Sequence, residues 1–144
     1  KNMQAERGAP GRPPATAILR RPNKAAIAAQ AAKRLLDEQY YKKFHCARFA
    51  AAYGLSCFHF IRVFHKQYGM SPYHYLLSVR TQHASRLIAE SEQPLRSIAA
   101  AVGFDTVSSL ARAYQSVFKV SLSSTYFGMR LGSRARGPIH AQTS

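Results

Sequence analysis

One stretch near the middle of the chain places apolar and basic side chains on the same side of a predicted helix. In the helix that follows Ser56, Phe60 and Phe64 lie four residues apart and are expected to face a core. The opposite face carries Phe58, Ile61, Arg62 and His65. Phe and Ile side chains can contact thymine methyls, and a guanidinium can pair with guanine or phosphate, which favours a DNA major-groove face. The alternative is a contact between lobes or a crowded core.

Lys66 follows on the same helix and is expected to contribute equally to binding of every DNA sequence, as a phosphate contact does.

A second stretch repeats this arrangement after Asp105. Leu110 and Tyr114 are expected to face inward. Small side chains on the outward face allow close approach, and its polar members can hydrogen-bond to base edges. This predicted set consists of Val107, Ser108, Ala111, Arg112 and Gln115. An ordinary solvated face is the alternative interpretation.

The other titratable residues predict neither catalysis nor a bound ion. The acidic side chains form no convergent pair, and Asp105 is predicted to be a helix N-cap rather than an acid catalyst. Cys57 and His59 lie two apart on one helix and therefore point in different directions. The sequence has no Gly-rich phosphate loop. We therefore predict no enzyme, no cofactor and no metal site.

The two stretches belong to an internal repeat that predicts paired helix-turn-helix units. The spacing is 49 residues for Ala50 and Ala99 and for Gly54 and Gly103, and it becomes 50 for Arg62 and Arg112. Each copy has a small residue where helices cross, and a glycine follows where the chain leaves the first helix. An amphipathic second helix then follows in both copies.

Helix start and stop signals predict an all-α fold with about seven helices. The first helix-turn-helix subdomain is expected over residues 24–70 and the second over 94–127. A long linker helix over 72–89 joins them. Its predicted length of about 27 Å is near the roughly 34 Å between successive major grooves on one face of DNA. Residues 1–23 and 128–144, rich in Gly, Pro and Arg, are predicted to be a flexible basic arm and tail.

Composition supports a polyanionic partner. The chain has 144 residues, with 21 Lys and Arg against 6 Asp and Glu, so its formal net charge is +15. Nucleic acid is the first expectation and an anionic membrane surface the second. No apolar run is long enough to span a membrane, no signal peptide is visible, and two cysteines predict a reducing cytoplasm. The first residue is not Met, so we expect a fragment.

The spacing of these residues over 31–126 resembles the DNA-binding domain of AraC/XylS-type bacterial transcription regulators. The matching residues include Phe49-Ala50, Gly54-Leu55-Ser56, Gly69-Met70-Ser71-Pro72, Arg80, Ile98-Ala99, Val102-Gly103-Phe104-Asp105, Arg112 and Tyr114. The resemblance implies two helix-turn-helix lobes on adjacent major-groove segments and transcription control, usually activation through RNA polymerase. It also implies that bases are contacted by Phe58, Ile61, Arg62, Val107, Ser108, Ala111 and Arg112.

Some positions depart from the family pattern. Lys119 stands where the family has Gly, and Ser121-Leu122 stands where it has Ser-Pro, so the last helix is expected to be looser or to start differently. His45-Cys46 occupies the place of a capping residue, which predicts a helix without a side-chain cap. The family's effector-binding domain is absent from these residues, and residues 1–23 are too few to form it.

The sequence thus predicts a transcription regulator that binds double-stranded DNA sequence-specifically. The alternative hypothesis is a basic protein that binds DNA non-specifically as an architectural factor, or that binds RNA.

Overall fold

The computed structural model describes the backbone of residues 23–143 and the side chains of residues 23–132. Within this range the chain forms seven α-helices and no β-strand, which confirms the predicted all-α class. The predicted arm over residues 1–23 lies, except for Asn23, outside the described residues. The helices are α1 (Lys24–Glu38), α2 (Cys46–Ala52), α3 (Cys57–Tyr68), α4 (Pro72–Glu90), α5 (Leu95–Ala101), α6 (Val107–Phe118) and α7 (Leu122–Thr143).

The described residues divide into two compact units. Unit 1 contains residues 23–33 and 45–71, and unit 2 contains residues 34–44 and 72–143. The prediction had placed all of residues 24–70 in the first subdomain and had treated 72–89 as a separate linker. The structure instead groups the end of α1 and the whole of α4 with the second helix-turn-helix. The reason is that α4 packs against α5, α6 and α7 and supplies part of their core.

Unit 1 is built around two phenylalanines of α3. Phe60 and Phe64 are completely buried, as the helical spacing predicts. The Phe60 ring lies 5.5 Å from the ring of Phe49 on α2, and the Phe64 ring lies 4.8 Å from that of Tyr68. Tilted ring pairs at these distances stabilise the packing by more than the apolar area that they bury would contribute. This aromatic packing holds α3 against α2 and leaves its opposite face outward.

The turn between α2 and α3 is a Schellman motif. Gly54 has φ +72°, its N–H donates to Ala51 O, and the N–H of Leu55 donates to Ala50 O at 2.9 Å. These bonds satisfy carbonyls that the helix end leaves without a partner. Because glycine has no Cβ, it adopts this conformation without steric cost. The chain therefore reverses sharply and brings α3 back across α2.

Unit 2 repeats the turn and adds a buried arginine. Gly103 has φ +104°, and the N–H of Phe104 donates to Ala99 O at 2.8 Å. The guanidinium of Arg80, on α4, lies over the Phe104 ring at 5.2 Å. A Cβ added to Gly103 would lie 2.8 Å from Arg80 Nε. Glycine at this position therefore allows the positive φ and also leaves the space that the Arg80 guanidinium occupies.

Arg80 also determines how the chain leaves α1. Its Nε donates to Tyr40 O at 2.7 Å and its Nη2 donates to Lys42 O at 2.9 Å. Burial lowers the pKa of Arg80, and nearby Tyr73 and Asp105 oppose that shift. The carbonyls of residues 40 and 42 thus accept hydrogen bonds from a buried cation. Helix α1 ends at Glu38, before the predicted end at Tyr41, and Arg80 holds the irregular segment that follows.

The core of unit 2 contains residues from α4, α5, α6 and the start of α7, including Ile88, Ile98, Leu110, Tyr114 and Leu122. Leu122 fills the place where the family pattern has proline and is 2% exposed. Ser121 Oγ accepts the N–H of Ser124 at 3.0 Å and caps α7. The last helix therefore has a defined start despite the departures from the family pattern.

Helix α7 continues through residues that were predicted to form an irregular tail. Its described backbone is helical to Thr143. Arg130 donates to Gln93 O at 2.6 Å and pairs with Glu92 at 3.2 Å, which ties this helix to the segment after α4. Gly128 and Gly132 each cost about 1 kcal/mol relative to alanine but do not prevent helical hydrogen bonding. The sequence prediction gave these glycines too much weight.

We expect Gly103→Ala to lower the free energy of unfolding by more than Gly69→Ala does. Both glycines have positive φ, so each substitution incurs backbone strain of about 1–2 kcal/mol. At Gly69 nothing lies within 4 Å of an added Cβ, whereas at Gly103 the methyl meets the Arg80 guanidinium. Denaturant unfolding of the two variants measures the difference. Equal losses would contradict the proposed role of Arg80.

Candidate nucleic-acid interface

Helix α3 separates its buried and exposed residues as the spacing predicted. Phe58 is 71% exposed, and Arg62, His65 and Lys66 are also exposed. Ile61 is half-buried. A shallow depression runs along this side of the helix and is lined by His59, Ile61, Arg62, Val63, His65 and Lys66. The outward face is thus cationic with two apolar members.

The start of α3 is fixed by a side-chain cap. Ser56 Oγ accepts the N–H of His59 at 3.1 Å. Ser at this position satisfies one of the donors that a helix N-terminus leaves open. The helix contains no Asp or Glu, so its own sequence does not neutralise the basic groups. The basic groups of α3 are therefore available to a polyanion.

One pair of residues on this face is in contact. The guanidinium carbon of Arg62 lies 5.7 Å from the centroid of the Phe58 ring. A cation over an aromatic face is attracted by the ring quadrupole, by about 0.5–1 kcal/mol at an exposed site. The contact holds Arg62 along the helix toward its N-terminal end.

Helix α6 presents a smaller and more polar face. Ser108, Arg112 and Gln115 are exposed, as predicted. Val107 and Ala111 are half-buried and pack against the core of unit 2, so part of each side chain is not available to a ligand. A groove beside the helix is lined by Ala111, Arg112, Gln115, Ser116, Ser121, Leu122 and Ser123.

The N-cap of α6 is Thr106, which corrects the prediction for Asp105. Thr106 Oγ1 accepts the N–H of Ser109 at 3.0 Å, and the helix begins at Val107. Thr106 lies 50 residues after Ser56, the cap of α3. The extra residue of the second repeat is therefore Asp105 itself, between the apolar residue after the turn and the cap. The offset of 50 was the signal that could have identified Thr106.

Ser109 was also missed by the sequence prediction. Its hydroxyl accepts a hydrogen bond from Arg112 Nη2 at 3.4 Å. Arg112 is thus oriented by a hydroxyl one turn earlier on α6, whereas Arg62 is oriented by an aromatic ring on α3.

The cysteines and histidines contribute no ion site in the described part of the chain, where no three His, Cys, Asp or Glu side chains come together. The pKa of Cys46 is raised to about 12, mainly by burial and to a smaller extent by a hydrogen bond with Cys57, so this thiol is neutral. His45 provides no side-chain cap to α2, as expected. Among the described helices, none is apolar over enough length to cross a membrane.

Comparison with known proteins identifies the family. A family model described as a helix-turn-helix domain matches residues 49–126, which is more than half of the chain. The chain belongs to the AraC-type helix-turn-helix family. The predicted resemblance to the AraC/XylS-type DNA-binding domain is therefore confirmed.

Relatives and solved structures agree with this membership. The chain is 30% identical over 95 residues to the probable transcriptional regulator LumQ of Photobacterium leiognathi, covering 66% of this chain and 38% of that protein. An uncharacterized HTH-type transcriptional regulator of Haemophilus influenzae is 30% identical over 86 residues, which are 60% of this chain and 29% of that protein. The chain thus spans less than two fifths of each relative.

Two solved structures share the fold at lower identity. The C-terminal domain of AraT, a response regulator from Geobacillus stearothermophilus, is 22% identical with a TM-score of 0.64, covering 70% of this chain and 84% of that one. The DNA-binding domain of AdpA, solved in complex with a target DNA, is 23% identical with a TM-score of 0.64, covering 77% and 96%.

We expect Lys119→Gly to raise the free energy of unfolding. Lys119 ends α6 with φ +62°, and its N–H donates to Gln115 O, as Gly69 does at the end of α3 toward His65 O. A non-glycine residue in this conformation costs about 1–2 kcal/mol. Lys119→Ala, which also removes the charge, is the control and should give no gain. Equal unfolding midpoints for the two variants would contradict the assignment of strain to Lys119.

Proposed function

We propose that this chain is the DNA-binding part of a bacterial transcription regulator that recognises a specific double-stranded sequence. The observation that carries the proposal is that both units repeat the same local helix-turn-helix structure. Each unit holds a helix by a Schellman turn, an N-cap and a buried aromatic or leucine residue, and each turns base-compatible side chains outward. An α-helix fits the major groove of B-form DNA.

Ten residues form the proposed DNA-contact set. On α3 and α6 they share an outward position and a side chain that can contact a base edge or a phosphate. They are Phe58, Ile61, Arg62, His65, Lys66, Val107, Ser108, Ala111, Arg112 and Gln115. Of these, the half-buried Val107 and Ala111 are suited to apolar contact only.

The proposed binding mode uses both helices on one duplex, with α3 and α6 reading adjacent major-groove segments. The sequence repeat and the matching local geometry of the two units support this. An AraC-type neighbour of the same fold, AdpA, was solved with its target DNA.

We further propose activation through RNA polymerase in the bacterial cytoplasm, as the family resemblance implies. Because the chain spans only part of its relatives, we also propose that an effector-binding domain lies outside these residues.

A second candidate function rests on the charge alone. A formal net charge of +15 would bind any nucleic acid, as an architectural or RNA-binding protein does. The deep, narrow major groove of A-form RNA does not admit these side chains. RNA binding would therefore leave the outward faces of α3 and α6 without a use.

We expect DNA affinity to fall steeply with salt while sequence preference survives. Each neutralised phosphate contributes a slope of about −0.9 in log K against log [salt]. In vitro selection from random duplexes should enrich a motif with two half-sites about 10 base pairs apart. Binding to the selected site should persist in excess random duplex. Complete competition by random duplex would favour the architectural alternative.

We expect Arg62→Ala and Lys66→Ala to weaken binding in different ways. A base contact carries about 1–3 kcal/mol of discrimination, so Arg62→Ala should relax the preference at one position of the half-site bound by α3. A phosphate contact carries none, so Lys66→Ala should weaken all sequences alike and reduce the salt slope by about one. Fluorescence anisotropy on matched and single-mismatch duplexes measures both. Arg112→Ala is the control that should affect the other half-site.

A further inference from the structure

The contact between Phe58 and Arg62 has a consequence for the kind of DNA step that α3 recognises. Phe58 is 71% exposed, although the same helix buries Phe60 and Phe64 completely. Its ring contacts the Arg62 guanidinium, whose carbon lies 5.7 Å from the ring centroid. The ring is therefore both an apolar surface and a support that orients the cation.

The two groups require different partners. A guanidinium makes two parallel hydrogen bonds to O6 and N7 of guanine, while an aromatic ring contacts the C5 methyl of thymine. In the major groove only thymine, or a cytosine methylated at C5, offers such a methyl group. An exposed aromatic ring can therefore distinguish a 5-methylpyrimidine from other bases by buried apolar area, without a hydrogen bond.

The distance between the two groups limits how far apart their partners can lie. Successive base pairs are about 3.4 Å apart along the helix axis, so the 5.7 Å from the Arg62 guanidinium carbon to the Phe58 ring centroid corresponds to between one and two steps. Resting on the proposed function, we infer that Phe58 and Arg62 act as one unit that recognises a 5-methylpyrimidine and a guanine in consecutive base pairs. The half-site of α3 then contains a thymine–guanine step.

Helix α6 is the internal comparison. Ser108 stands 50 residues after Phe58, at the matching position of the repeat. Arg112 is held there by the hydroxyl of Ser109 at 3.4 Å, and the position that matches Phe58 carries a serine instead of an aromatic ring. A guanine contacted by Arg112 is therefore read without an aromatic contact to a neighbouring methyl group.

The test compares two pairs of duplexes, and the members of each pair differ by one methyl group. A motif is first selected from random DNA with the wild-type chain. The pyrimidine next to the guanine of the α3 half-site is then replaced in turn by thymine, uracil, cytosine and 5-methylcytosine, and affinities are measured by fluorescence anisotropy. Burial of one methyl group predicts that thymine binds about three- to fivefold more tightly than uracil. The same factor is expected for 5-methylcytosine over cytosine.

Variants assign the effect to one side chain. Phe58→Ala should bind the thymine and uracil duplexes equally, while Phe58→Leu should keep part of the difference. Gln67→Ala, at an exposed position of the same helix outside the proposed contact set, is the control and should retain the full methyl preference. Because Phe58 is exposed, its variants should unfold at the same temperature as the wild type, which circular dichroism checks.

The outcomes separate the inference from the function on which it rests. If selection enriches no sequence, the proposed function fails and the inference fails with it. If a motif is enriched but lacks the thymine–guanine step, or thymine and uracil bind equally, only the inference is overturned. It is also overturned if Phe58→Ala retains the methyl preference.

Discussion

Both units depend on a reversal of the chain that only a left-handed residue permits. At Gly54 and Gly103 the backbone leaves a short helix with positive φ, and the next N–H returns to a carbonyl of that helix. This bond closes the helix end and fixes the direction of the following helix. The small residues Ala50 and Ala99 are buried close to the turn, where a longer side chain would separate the two helices. The outward direction of α3 and α6 follows from this geometry.

In unit 2 a second constraint is added to the turn. The Arg80 guanidinium is buried against Gly103 and Phe104 and donates to carbonyls of residues 40 and 42. A buried cation is stable only when its donors are satisfied, so these carbonyls are held in place by it. One side chain therefore links the end of α1, helix α4 and the second helix-turn-helix turn. For this reason α4 is an integral part of unit 2.

The two outward faces are variations on one design. Both helices begin at a Ser or Thr cap, both carry an arginine at matching positions, and neither contains an acidic residue. They differ in what supports the arginine, which is an aromatic ring on α3 and a serine hydroxyl on α6. The two units thus give their outward arginines different neighbouring chemistry. Under the proposed function, this difference gives the two helices different sequence preferences.

The sequence by itself determined the all-α class, the repeat, the positive-φ turns and the division of α3 into buried and exposed faces. These depend on local spacing, because helical periodicity and turn chemistry act over a few residues. Only the tertiary structure decided where α1 ends, that α4 belongs to unit 2, that Val107 and Ala111 are half-buried, and that α7 continues past Gly128. Each of these depends on contacts between residues far apart in the chain, such as Arg80 with Tyr40 and Arg130 with Gln93, and no local pattern encodes such pairings.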